Sequence, residues 1–81
     1  MVDRGAHYEI RIAAAGADPS LMEVEVTERR VLVRIPGIAR PVDYSFELAV
    51  AVDAAGVTAR WLRDVLEIIL PKKPGRKIRV E

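Results

Sequence analysis

The 81-residue chain carries few side chains suited to acid–base or nucleophilic chemistry. His7 is the only histidine, and it falls on the polar side of an alternating stretch, so a surface imidazole is expected rather than a base or a metal ligand. Neither Ser20 nor Ser45 sits in a nucleophile elbow, and no Ser-His-acid set is credible around a single histidine. Glu23 and Glu25 put two carboxylates on one side of a strand, which reads as a solvated face before it reads as a cation site. The absence of cysteine removes thiol nucleophiles, zinc knuckles and disulfide frameworks. No G-x-x-x-x-G-K-[ST] or G-x-G-x-x-G run exists to cradle phosphates. The expectation is a chain with no catalytic residue, no metal and no cofactor, so not an enzyme. Whatever it does must come from apolar surface.

That surface is organised by period-2 alternation. Val and Ile together number 18 against six Leu, a β-branched excess that favours strands. Tyr8, Ile10 and Ile12 point one way, with His7, Glu9 and Arg11 opposed. Asp18-Pro19-Ser20 predicts a turn or a single helical turn, because Pro fixes φ and Asp caps the next amides. Val24 and Val26 alternate with Glu23 and Glu25, and Val31, Val33 and Ile35 form the next run. Tyr44, Phe46, Leu48, Val50 and Val52 make the longest clean alternation, ended by the turn Asp53-Ala54-Ala55-Gly56. Thr58–Leu62 and Val65–Leu70 close as a pair across Arg63-Asp64. The last run is apolar on both sides, Val65 and Ile69 against Leu66, Ile68 and Leu70, so it is expected to be covered twice. Six strands with turn signals about every 8–12 residues predict an all-β, immunoglobulin-like antiparallel sandwich.

Length allows one small domain, expected to span residues 1–71, with a basic hinge and a short alternating tag over 72–81. The hinge run Lys72–Arg79 holds five basic residues in eight, a pattern more often solvated than bound to phosphate. A formal net charge of +1 and scarce aromatics argue against a dedicated nucleic-acid binder. Apolar stretches of about five residues fall far short of the ~20 that a membrane helix needs, and no signal peptide is evident, which makes a cytoplasmic protein without membrane partners the default.

The second half of the chain resembles a known pattern. Ala59-Arg60-Trp61-Leu62-Arg63-Asp64-Val65-Leu66, followed by Glu67-Ile68-Ile69-Leu70-Pro71-Lys72, is similar to the signature of the α-crystallin domain of small heat shock proteins. That signature is A-x-x-x-N-G-V-L, then alternating apolar residues, then Pro-Lys. Upstream, Tyr8–Ile12, Gly16–Pro19, Met22–Val26 and Val31–Val33 match the first three strands of that family in order. Phe46-Glu47-Leu48 and Val52-Asp53 fall where it has F-x-L-P and G-V-D, and Ile78-Arg79-Val80 matches its C-terminal I-x-I/V tag. The resemblance covers roughly residues 7–80. There are departures. Asp64 replaces the family's turn glycine, only six residues precede His7, and Pro36 to Pro41 is too short for the loop that swaps a strand into a partner in bacterial members.

The resemblance implies an α-crystallin-type sandwich and an ATP-independent holdase that binds exposed apolar segments of unfolding or destabilised client proteins. It places a client or partner groove between the strand of Val24 and Val26 and the strand of Ala59 and Trp61. The tag side chains Ile78 and Val80, two apart and therefore on one side, have the shape to fill that groove. Self-association through the sheet edge or the tag is open. The short connection and missing arm favour an alternative: a non-oligomerising, co-chaperone-like or accessory interaction domain for one defined partner. A small barrel that binds RNA through the basic tail is the distant third reading.

Overall fold

The computed structural model describes residues 1–37, 40–74 and 80. Among these the chain forms seven strands: β1 (Val2–Asp3), β2 (His7–Ala13), β3 (Glu23–Thr27), β4 (Arg30–Ile35), β5 (Val42–Glu47), β6 (Thr58–Leu62) and β7 (Val65–Pro71). All pairings are antiparallel, in two sheets ordered β1-β2-β7-β6 and β3-β4-β5.

Alternation explains which side of each strand turns inward. Ile10, Ile12, Leu66, Ile68 and Leu70 from the first sheet meet Val31, Val33 and Ile35 from the second, and all are buried. Tyr8, Leu48 and Val52 complete the core. The charged partners of these residues turn outward, as expected where one side of an antiparallel sheet faces water.

Local chemistry sets the turns. Asp18 caps a 3-10 turn at Pro19–Leu21, accepting from the Ser20 amide at 2.9 Å and the Ser20 hydroxyl at 2.7 Å. Asp53 does the same for Ala54–Gly56, accepting from the Ala55 amide at 3.1 Å. The β6–β7 hairpin turns on Arg63 (φ 51°) and Asp64 (φ 62°), the two left-handed positions that a tight two-residue turn of the right twist requires. Asp tolerates that region better than most residues, which is how the turn forms without glycine at Asp64. At Gly37 a side chain would collide with the Arg40 carbonyl, so the β4–β5 connection needs glycine there.

The structure departs from the sequence reading in three places. The long alternation Tyr44–Val52 is not one strand. β5 begins earlier, at Val42, and stops at Glu47, after which the chain crosses to the other sheet. Leu48 and Val52 donate their amides to the Arg29 and Glu28 carbonyls at 2.9 and 2.8 Å, and Val52 bridges Lys72. Leu48 and Val52 still point into the core, but Val50 between them is exposed, so the period of two breaks beyond Glu47. The second departure is β7, whose outward side is not covered by another layer. Val65, Glu67, Ile69 and Pro71 are half-buried among the side chains of their own sheet. The third is β1, a two-residue strand paired with β2 and too short to show a period.

Candidate functional site

Sheet order decides what is left unpaired. β6 ends the first sheet and β3 begins the second, so each offers a free backbone edge. At the opposite side, Ala13 and Ala14 at the end of β2 line a cavity with Ile35, Val42 and Tyr44 of the β4–β5 hairpin. β6 is separated from β2 by β7, and β3 from β5 by β4, so each lies at the end of its sheet away from this cavity.

Register then fixes which side chains of β3 and β6 turn inward. Val24 lies opposite the buried Val33, and Val26 opposite the buried Val31. Ala59 lies opposite the buried Ile68, and Trp61 opposite the buried Leu66. All four candidate groove residues therefore sit on inward-facing positions of two edge strands, one in each sheet. Val24, Val26 and Trp61 pack against the core while staying partly open, and Ala59 is exposed.

Two further residues extend the rows. Met22 precedes Val24 by two and Val57 precedes Ala59 by two; both have extended backbone and pack on the core. Met22 belongs to the Met22–Val26 alternation of the sequence, whereas Val57 directly follows a helical turn, where that count stops.

The outer sides of β3 and β6 differ in charge. Glu23 and Glu25 project from the outer side of β3, whereas Arg60 projects from the outer side of β6 and is held by Glu67 at 3.0 Å. An extended segment added to either edge meets apolar side chains on the inner side and polar groups on the outer side, with backbone N–H and C=O groups free to pair.

The start of the tail is held between the β1–β2 side of the first sheet and the β3–β4 turn. The Lys72 amide donates to Ala6 and the Lys73 amide to Ala51, at 3.0 and 2.9 Å. The Lys72 ammonium donates to Asp3 at 2.7 Å and lies 4.7 Å from the centre of the Tyr8 ring. Lys73 pairs with Glu28, just beyond the end of β3. The Lys72 hydrogen bond, with that from the Gly5 amide, holds the Asp3 carboxyl below its ordinary value, and the Lys73 hydrogen bond does the same for Glu28. Two of the hinge lysines are thus fixed to the body of the domain. Of the tag residues, Val80 is exposed, and Ile78 lies outside the described residues. His7 is half-buried at the first position of β2, opposite Pro71.

No protein-family model matches the sequence, and no curated protein matches it. Among solved structures the chain is similar to a rat α-crystallin domain, with a TM-score of 0.72 at 18% identity over 100% of this chain and 95% of that one. The fold is that of an α-crystallin domain. Within this α-crystallin fold β3 and β6 are far apart in sequence, and their places at the ends of their sheets come from sheet order rather than from any local motif. No helix among the described residues is long and apolar enough to cross a membrane.

Proposed function

We propose that this α-crystallin-type domain is an ATP-independent holdase that receives exposed apolar segments of destabilised proteins between β3 and β6. The observation that supports this is the pair of edge strands, one in each sheet, whose inward positions hold Val24, Val26, Ala59 and Trp61. An extended segment adds backbone hydrogen bonds to an edge and seats alternate side chains inside, a mode of recognition that needs no chemistry beyond burial. Two aliphatic side chains buried there contribute ~3–5 kcal/mol before ordering costs, which gives the weak, reversible capture suited to a holdase. The tag Ile78-x-Val80 supplies such a pair from the chain itself. Lys73 is anchored beside the end of β3, and five further residues reach about 17 Å, enough to bring the tag to the groove of its own chain.

Heating unrelated client proteins at near-stoichiometric ratio without ATP tests the reading: their light scattering should be suppressed. Ala59→Lys places an inward charge on the exposed position of β6 without disturbing the core, and should abolish the protection. Undiminished protection by that variant rules out the groove.

A second reading has its own observation. β4 and β5 pair directly from Ile35 opposite Val42, which leaves no intervening strand to exchange with a partner. That favours an accessory interaction domain serving one defined partner. Its signature is failure to protect several clients together with tight, Ala59→Lys-sensitive binding of a single protein.

A further inference from the structure

Two surfaces remain outside the groove: the outward faces of the two sheets, which carry opposite charge. On the first sheet Arg11, Glu67 and Arg60 form one cross-strand row, and Ala13, Val65 and Leu62 form the next. Glu67 is shared between Arg11 and Arg60, each at 3.0 Å. Around Leu62 and Val65 lies a shallow hollow of about 250 Å³ edged by Arg11, Arg60, Arg63 and Glu67, three cations against one anion. Its apolar floor is open, since Leu62 is 56% exposed.

On the second sheet the corresponding face centres on Leu32, 40% exposed between Glu25 and Ser45. A hollow of about 320 Å³ there is edged by Glu23, Glu25, Asp43 and Arg34, three anions against one cation. Arg34 is spent on Asp43 at 2.8 Å, and Glu23 and Glu25 make no ion pair among the described residues.

We propose that these faces bind each other between two copies of this chain, the arginine-edged hollow of one receiving the acid-edged Leu32 face of the next. The formal charges at the two hollows are +2 and −2, so the faces attract each other and each repels its own kind, which disfavours a two-fold pair using one face twice. Each contact leaves one face free on both copies, so association is head-to-tail and open or ring-forming. About three strands at ~4.8 Å spacing and five residues at ~3.3 Å rise make a face far smaller than a stable interface needs. The association is therefore weak and salt-sensitive. It leaves the β3–β6 groove open and does not depend on the proposed holdase activity.

Sedimentation velocity of the full chain over a concentration series tests it. The average mass should rise with concentration at low ionic strength, and the rise should vanish near ~0.5 M salt, where screening acts within a few ångströms. Glu25→Lys and Arg63→Glu should each weaken association at least about tenfold, and mixing them in equal amounts should restore it, because each retains one intact face. Circular dichroism confirms that both variants fold, and Glu23→Lys with Leu62→Glu provides a second pair. Ala59→Lys should leave the mass series unchanged, which separates this contact from the groove. A mass independent of salt, or variants that associate like the parent, overturns the proposal.

Discussion

Tyr8 does three things in this small core. Its ring is buried on β2, its hydroxyl accepts from the Val50 amide at 3.1 Å, and its face lies under the Lys72 ammonium. The hydroxyl is the anchor for the exposed bend between the sheets, so Tyr8→Phe should keep the fold and the cation contact while losing that hydrogen bond. A cost of about 1 kcal/mol is expected in urea unfolding, with faster hydrogen exchange at the Val50 amide. The hairpin turn offers the opposite case. Arg63 and Asp64 both hold positive φ, which an L side chain adopts at a cost, and Arg has no local hydrogen bond to offset it. Replacing the pair by Asn-Gly should raise stability by about 1 kcal/mol, read as a higher urea midpoint at unchanged slope. An unchanged midpoint would mean that the turn is held by its surroundings, principally the Ala14 amide that donates to the Asp64 carbonyl at 2.9 Å.

At the scale of elements, alternation identifies a strand but not the sheet it joins. Tyr44, Phe46, Leu48, Val50 and Val52 share one period in the sequence, yet the first two lie on β5 and the last three beyond it. Substitution distinguishes these positions where the sequence does not. Val52→Ala should cost about 2 kcal/mol because Val52 is fully buried at the crossing, whereas Val50→Ala should cost less than about 0.5 kcal/mol because Val50 is exposed. Equal costs in thermal or urea unfolding would contradict the crossing. The same limit governs the groove. The inward positions of β3 were legible from period 2 and those of β6 only from the resemblance, and nothing in residues 22–26 or 57–61 states that these strands end their sheets. That placement rests on long-range order, and the four residues were assembled in the sequence only through the resemblance of the Ala59–Lys72 stretch. Val57 was missed because a helical turn interrupts the count just before it, whereas Met22 was read in the alternation and only its place beside the groove residues was not. β1 escaped for the plainest reason: two residues carry no period.

For the whole molecule, charge joins parts that the core does not. Asp3 to Lys72 and Glu28 to Lys73 tie the N-terminal strand, the β3–β4 turn and the root of the tail across 69 and 45 residues of sequence. Both carboxylates, with Asp43 beside Arg34, are held below their ordinary pKa by hydrogen bonds from cations. Burial alone raises Glu9, but the guanidinium hydrogen bonds of Arg4 and Arg11 outweigh it and bring that carboxyl down too. A carboxyl depressed in the folded state binds its proton more readily when unfolded, so it stabilises the fold above its unfolded pKa, and that contribution fades as pH falls through the folded value. Stability should therefore be flat from neutral pH to about 5 and decline below about 4, where unfolded Asp and Glu titrate. The groups are exposed, so each contribution is small and salt weakens it. The two tail ties should show locally before they show globally. In Asp3→Asn with Glu28→Gln, the amides of Lys72 and Lys73 should lose protection from exchange at pH 7, with protection factors, corrected for the intrinsic pH dependence of exchange, close to those of the parent protein at pH 3. If these protection factors are independent of both pH and substitution, the backbone bonds to Ala6 and Ala51 suffice, and the root of the tail is fixed by the sandwich rather than by charge.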